Sequence, residues 1–447
     1  MAASTGHSAG PGLLRLITCG SVDDGKSTLI GRLLFDSKAI FEDQLDAVHR
    51  ISLAMGQQQI DLALVTDGLR AEREQGITID VAYRYFATPA RRFILADTPG
   101  HVQYTRNMVT AASTADAAVI LIDARHGVVE QTRRHACLAA LLGVPNLVVC
   151  VNKMDLVDHS RPVFEAIRAD FEHFAATITP CGLSGDTRPL TQLADIMFIP
   201  ISALHGDYVV SRSAAMPWHE GSTLLEYLDT VPRRGTDEQR GARLPVQIII
   251  RPRTSSHHDY RGIAGQISGG QFAEGDDVTV LPQNVRSRIA SIHIGSRRVL
   301  NAQSPSSVSI TLSDDIDVSR GNLLCRTEEL ASGGEAPMII KDLRATVVWM
   351  APDALRAGRR VLIKHATQST AATVKVVSSR LNLSSLTAEL AQGWLAMNDI
   401  GEVEFRLGGA IACDPYHACR ATGGFIIIDE ASNNTIGAGL ISRQVGT

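Results

Sequence analysis

The chain has 447 residues, 45% hydrophobic and 20% charged, enough for roughly two to four domains of ordinary size. A net charge of −4 argues against a protein that coats nucleic acid through a basic surface. Seven scattered cysteines with no Cys-x-x-Cys pair argue against a disulfide framework or a zinc site, and no apolar run reaches the about 18 residues of a membrane span, so a soluble, cytoplasmic chain is expected.

Residues 1–12 are small and polar, with no basic stretch leading into an apolar core, so a disordered N-terminus is expected rather than a signal peptide. From 13 to 232 short apolar runs alternate with helical periodicity. The pattern predicts strands over 14–19, 81–86, 92–96, 118–122, 147–151 and 197–201. Helices are expected over 104–113, 132–142, 161–174 and 222–230. Such alternation implies a mostly parallel sheet with helices on both faces. The polar segment 233–243 reads as a linker. Beyond it helical periodicity nearly vanishes. Short β-rich runs at 246–250, 262–268, 277–281, 287–292 and 307–312 predict an all-β barrel over 244–335. A Gly-rich boundary follows, and runs at 344–349, 360–363, 370–378, 399–406 and 425–429 predict a second barrel over 336–447.

The first strand runs directly into Gly20-Ser21-Val22-Asp23-Asp24-Gly25-Lys26-Ser27-Thr28, and a helical pattern follows. Gly20, Gly25, Lys26 and Ser27 stand at the spacing of a phosphate-cradling loop, in the strand–loop–helix context that motif requires. Glycines let the backbone wrap a phosphate closely, and the amides and helix N-terminus face the anion. Lys26 brings a full positive charge to the outer phosphates, and Ser27 offers a hydroxyl to Mg²⁺.

Four more motifs follow in order. Asp97-Thr98-Pro99-Gly100 comes directly after the strand at 92–96. A carboxylate there can hold the Mg²⁺ shell, and the Gly100 amide can bond a terminal phosphate. Asn152-Lys153-Met154-Asp155 follows the strand at 147–151. Guanine presents two adjacent N–H donors on one edge, which the acceptor-only Asp155 carboxylate matches and adenine lacks. Ser202-Ala203-Leu204 adds a further loop at the same sheet edge. Thr78, in Gly76-Ile77-Thr78-Ile79-Asp80, lies where a segment can close over Mg²⁺ when the terminal phosphate is present. GTP with Mg²⁺ is the expected cofactor pair.

In this order the motifs resemble those of translational GTPases of the elongation factor Tu type, a P-loop GTPase domain followed by two β-barrels. The resemblance implies that His101, next to Gly100, positions the hydrolytic water. It also implies Ser27 and Thr78 as Mg²⁺ ligands, with Asp97 acting through water. Elongation factors carry Val-Asp-His-Gly-Lys in the loop, whereas this chain has an acid at Asp24. With the segment 67–86, Thr105-Arg106-Asn107-Met108, Gln131-Thr132-Arg133-Arg134-His135, Ser319-Arg320-Gly321-Asn322 and 425–430, it resembles the GTP-binding large subunits of bacterial sulfate adenylyltransferase. In that family a small ATP-pyrophosphatase-like catalytic subunit makes adenylyl sulfate from ATP and sulfate, and GTP hydrolysis by the large subunit drives the reaction.

Two fragments resemble ATP sites but lack a required residue. Phe272 stands where the loop Ser268-Gly269-Gly270-Gln271 would need an Asp, and Ser296 replaces the second His of a His-x-Gly-His pattern at His293. Both sit in barrel texture and are expected to be strand and turn. The pair His257-His258 is read as a loop insertion and not as a metal site, because adjacent side chains on a strand point opposite ways and cannot share one ion. Two rival functions share the architecture: an aminoacyl-tRNA carrier, and a scaffold that binds GTP without hydrolysing it. The net charge and Asp24 weigh against the first, and intact Lys26, Thr78 and His101 against the second.

Overall fold

The computed structural model describes residues 12–40, 62, 81–99, 105–179, 188–232, 241–251, 260–331, 336–382, 385 and 387–442. These form two compact units, one built on a parallel sheet and one holding two β-barrels.

In the first unit, in chain order, lie β1 (Gly12–Cys19), α1 (Lys26–Asp36), β2 (Ala82–Ala87), β3 (Arg91–Asp97), α2 (Thr105–Ala112) and β4 (Ala117–Asp123). Then come α3 (Glu130–Leu141), β5 (Asn146–Asn152), α4 (Arg161–Thr177), the one-turn α5 (Leu190–Leu193), β6 (Asp195–Pro200) and α6 (Leu224–Thr230). The six strands run in the order β2-β3-β1-β4-β5-β6. All neighbours are parallel except the β2–β3 hairpin at one edge. Every residue of β4 and β5 is buried, as expected for strands covered on both faces, which read as unbroken apolar runs. On α4, Phe164, Ile167, Phe171 and Phe174 form the buried stripe, and the Phe171 ring meets Phe198 of β6 edge-on at 5.7 Å. The Thr223 hydroxyl and Glu226 close a reciprocal capping box that starts α6. All of the predicted strands and helices of this part are present, with ends shifted by at most three residues.

The second unit opens with β7 (Arg243–Pro245), β8 (Ile248–Ile250), β9 (Gly262–Gln266), β10 (Gln271–Ala273), β11 (Asp277–Leu281) and β12 (Val285–Ile294). It continues with β13 (Arg297–Val299), β14 (Asn301–Gln303), β15 (Ser307–Leu312), β16 (Leu323–Arg326) and the short α7 (Thr327–Ala331). The strands pair in the order β7-β16-β11-β12-β15-β9-β8, and a bridge between Arg243 and Ser268 ties β7 to the chain just after β9. Of the strand expected over 246–250 only Ile248–Ile250 forms, as β8; the preceding β7 ends at Pro245. Phe272, fully buried, belongs to the core of this barrel with Leu244, Val280 and Ile310. The fragment around it is a turn leading into β10. His293 and Ile294 end β12, and Gly295 turns the chain into β13 with a φ of 60°. Both apparent ATP motifs are therefore strand and turn. The His257-His258 pair lies outside the described residues.

The last barrel holds β17 (Met338–Trp349), β18 (Leu355–Arg356), β19 (Arg360–His365), β20 (Gln368–Asn382), β21 (Thr387–Leu390), β22 (Trp394–Leu395) and β23 (Ile400–Cys413). The one-turn α8 (Arg420–Gly423), β24 (Gly424–Ile428) and β25 (Thr435–Ile441) complete it. Pairing runs β19-β24-β25-β17-β23-β20 and returns to β19, so these strands close on themselves without a free edge. Trp349, Phe405 and Phe425 fill the interior. Arg243 was expected to be the last linker residue, but it begins β7 and is 3% exposed. Its guanidinium is held by Glu329 at 3.0 Å and Asp414 at 3.3 Å, so a residue that reads as solvated is buried by partners far along the chain.

Candidate nucleotide site

In the parallel sheet β1, β3, β4, β5 and β6 all point their C-terminal ends the same way. The order places the ends of β3 and β4 on either side of β1, which is the crevice where open α/β sheets take ligands. The chain leaves β1 into the loop Gly20–Gly25, and Lys26 opens α1. Two positive φ angles shape the loop, 69° at Asp23 and 91° at Gly25. Gly25 is required for a second reason: a Cβ there would stand 2.5 Å from the Asn152 carboxamide nitrogen. Lys26 Nζ donates to the carbonyls of Gly20 at 2.9 Å and Ser21 at 2.7 Å, which keeps the ammonium within the turn of the loop. Burial lowers its pKa, and the Asp97 and Asp24 carboxylates oppose that shift. Asp24 turns inward and accepts from the Ser21 amide at 2.5 Å. Burial raises its pKa, opposed by that amide and by Lys26. Val22 and Asp23 are exposed, while Ser27 and Thr28 are half-buried in the first turn of α1.

Asp97 ends β3 and is 3% exposed; its Oδ1 accepts from the Thr18 hydroxyl at 3.2 Å. Thr98, fully buried, donates to the Thr18 carbonyl at 2.6 Å, and Pro99 follows. Thr18 lies on β1, so the ends of β1 and β3 are locked together just before the phosphate loop. Gly100, His101 and Thr78 lie outside the described residues.

Asn152 ends β5 and joins two of the predicted loops. Its Nδ2 donates to the Asp24 carbonyl at 2.7 Å, and its Oδ1 accepts from the Ala203 amide at 3.0 Å. Lys153 takes a left-handed φ of 61° and reaches back to the Asp23 carbonyl. Met154 is fully buried at the start of a 3-10 turn, Met154–Val157. Asp155 Oδ1 accepts from the Ser202 hydroxyl at 2.6 Å, and its Oδ2 lies 4.0 Å from His205 Nε2. Ser202, Ala203 and Leu204 follow β6; Leu204 is exposed, and Arg32 of α1 binds the Ala203 and Leu204 carbonyls. The phosphate-loop residues, Asp97 and Thr98, Asn152–Asp155 and Ser202–Leu204 are thus brought to one edge of one sheet.

Sequence reasoning passed over Asp123, which ends β4 at 2% exposure. It accepts from the Arg125 backbone amide at 2.9 Å and from its guanidinium at 3.0 and 2.6 Å. Lys153 Nζ lies 2.9 Å from its Oδ2. Burial works against ionisation, but those donors hold the carboxyl well below the usual carboxylate range. The available signal was positional: an acid ending a strand, as Asp97 does. Arg32 and Thr18 were passed over too, and neither belongs to a recognisable motif.

For Mg²⁺ the described oxygen donors are the Ser27 hydroxyl and the Asp97 carboxylate. Among the described residues no group of three or more His, Cys, Asp or Glu is placed to hold a metal ion. That sparse oxygen set fits an ion that keeps waters and binds through one or two protein groups plus substrate phosphates. Among the described residues no helix is long and apolar enough to cross a membrane.

Comparison with known proteins places the chain in a family. Residues 12–233 match the elongation factor Tu GTP binding domain family, and 342–442 the GTP-eEF1A C-terminal domain-like family. The chain is 49% identical over 434 residues to the bifunctional enzyme CysN/CysC of Mycobacterium tuberculosis (strain CDC 1551 / Oshkosh), covering 97% of this chain and 68% of that protein. It is 47% identical to sulfate adenylyltransferase subunit 1 of Laribacter hongkongensis, covering 96% and 85% of the two chains. Subunit 1 from Cellvibrio japonicus is 46% identical, with 97% and 87% covered. The chain belongs to the sulfate adenylyltransferase subunit 1 family, with an N-terminal GTP-binding domain of the elongation factor Tu type.

Proposed function

We propose that this chain is the GTPase subunit of a heteromeric sulfate adenylyltransferase. In this reading GTP hydrolysis drives the unfavourable synthesis of adenylyl sulfate from ATP and sulfate on a small, ATP-pyrophosphatase-like partner subunit. The observation that carries the nucleotide part is the Asn152 carboxamide, which ties the phosphate loop at Asp24 to the loop at Ala203. The family, whose relatives are named subunit 1, supports the heteromer. The domain limits go with the proposal: 13–232 for the GTPase, 244–335 and 336–447 for the barrels.

Each residue has a role in that reading. The loop amides of Gly20–Thr28 receive the phosphates, and Lys26 moves from the Gly20 and Ser21 carbonyls to the outer phosphate oxygens. Ser27, Asp97 and Thr78 would hold Mg²⁺, an assignment that rests on the family resemblance. When bound, Mg²⁺ neutralises charge on the phosphates. Asp155, oriented by the Ser202 hydroxyl, receives the two guanine donors. Thr98 and Pro99 carry the chain from β3 towards the Gly100 amide, which meets the terminal phosphate. His101 positions the attacking water, a role that rests on the family resemblance.

Two tests separate this reading from its rivals. Single-turnover GTP hydrolysis by the chain with its partner distinguishes it from a binding-only scaffold. Filter binding of charged tRNA in the presence of GTP tests the carrier function, and retention of tRNA there would contradict the proposal.

A further inference from the structure

The Asp123 carboxylate is better supplied with donors than a buried acid needs. Arg125 alone satisfies both of its oxygens, with contacts of 3.0 and 2.6 Å from the guanidinium and one of 2.9 Å from the amide. Lys153 adds a fourth contact, at 2.9 Å, and the same ammonium bonds the Asp23 carbonyl in the phosphate loop. β4 lies between β1 and β5 in the sheet, and Asp123 is in register with Asn152. The acid is therefore fixed midway between the loop that follows β1 and the loop that follows β5. Both residues that Lys153 links, itself and Asp23, hold positive φ angles of 61° and 69°. Such angles are unfavourable for side-chain-bearing residues and persist where neighbours hold them. A lysine is a point charge on a flexible stem, so a fixed anion narrows where its ammonium can go.

We infer that Asp123 is a positioning residue for nucleotide retention: it holds Lys153 against the Asp23 carbonyl, so that the phosphate loop and the guanine-side loop grip the nucleotide as one piece. The inference rests on the nucleotide site proposed above. Asp123 does not touch the nucleotide in this account; it acts through Lys153. Its loss loosens the grip in the ground state and in the transition state alike, which changes release and affinity more than the chemical step.

The test is release of fluorescently labelled GDP from the full-length chain, followed by stopped flow, beside GTP turnover at saturating GTP with the partner subunit. Asp123→Asn is expected to speed release by about tenfold or more while saturating turnover stays within about threefold. Lys153→Met should speed release similarly, and the double variant should release no faster than Lys153→Met alone, because the two act as a unit. Arg125→Ala removes an ion pair from the same carboxylate but leaves the lysine contact, and is expected to stay within about twofold of wild type. Unchanged release from folded Asp123→Asn, or additive effects in the double variant, overturns the inference. Should Asp123→Asn fail to fold, wild-type release from Lys153→Met overturns it equally. If the wild-type chain retains no labelled GDP, the nucleotide-site reading itself falls.

Discussion

The side chain of Asn152 and the backbone of Asp24, 128 residues apart in sequence, are joined by a buried hydrogen bond of 2.7 Å. The opposite end of the same carboxamide accepts from the Ala203 amide. One residue therefore sets the spacing between the Gly20–Gly25 loop and the loop after β6. Removing it leaves a buried carbonyl and a buried amide without this partner, at about 1–3 kcal/mol each. Asn152→Ala should weaken GTP and GDP to a similar extent, by about 10- to 100-fold, in a fluorescence titration. A loss confined to GTP would place the defect at the terminal phosphate instead.

Asp155→Asn tests the base pocket. The amide replaces one acceptor with a donor facing the donors of guanine, so a charge-assisted pair worth about 1.5–3 kcal/mol gives way to repulsion. Preference for GTP over ATP should fall in a competition titration. Undiminished selectivity would reject Asp155 as the guanine ligand. Because Ser202 orients this carboxylate at 2.6 Å, Ser202→Ala should show a smaller loss in the same direction.

Acid sensitivity follows from a histidine on the helix beside the site. His135 on α3 is 3% exposed, and its Nε2 lies 3.0 Å from the Gln131 amide nitrogen, which suits a neutral ring accepting there. Burial, then the charges of Lys26 and Arg134, push its pKa down to about 3. The unfolded chain takes up this proton near its ordinary value of 6.5, and the fold refuses it until about 3. The stability is therefore fully present above that ordinary value and is lost as pH falls, at about 1.4 kcal/mol per unit. Burial depresses His365 in the same direction. Between about pH 7.5 and 5, Tm of His135→Leu should fall less steeply than that of the wild type, followed by circular dichroism. Parallel slopes would show that His135 does not carry the acid limb.

The candidate nucleotide site was legible because the chemistry proposed for it demands fixed spacings. Gly20, Gly25 and Lys26 have to stand where a phosphate can be wrapped, and Asn152 and Asp155 where a strand ends. Ser202 carried no information alone and became readable only through the order of the motifs. Asp123 belongs to no motif; its partners Arg125 and Lys153 are identified only once β4 and β5 lie side by side. Arg243 reads as linker because its charge suggests solvent. Asp414, 171 residues later, buries it, and no local pattern announces such a contact.

Among the barrel strands, β25 (Thr435–Ile441) was not expected, and Gly437 and Gly439 leave two of its seven positions without a side chain to show a pattern. They are in the strand to make room: a Cβ on Gly439 would lie 2.0 Å from the Phe425 ring, and one on Gly437 3.2 Å from the Trp349 ring. The three-residue strands β10, β13 and β14 are too short to show an alternating pattern at all.

Hydrolysis at this site is proposed to drive an unfavourable synthesis on the partner. The most direct measurement is the yield of adenylyl sulfate from ATP and sulfate by the reconstituted pair, with GTP and with a non-hydrolysable GTP analogue. With GTP the yield should rise beyond the equilibrium level that the partner reaches without it. The analogue should not lift it, nor should GTP added to a pair carrying Lys26→Ala, which lacks the phosphate-loop charge. The chain alone should form none. Equal yields with GTP and with the analogue, or adenylyl sulfate made by the chain free of partner, would contradict the account.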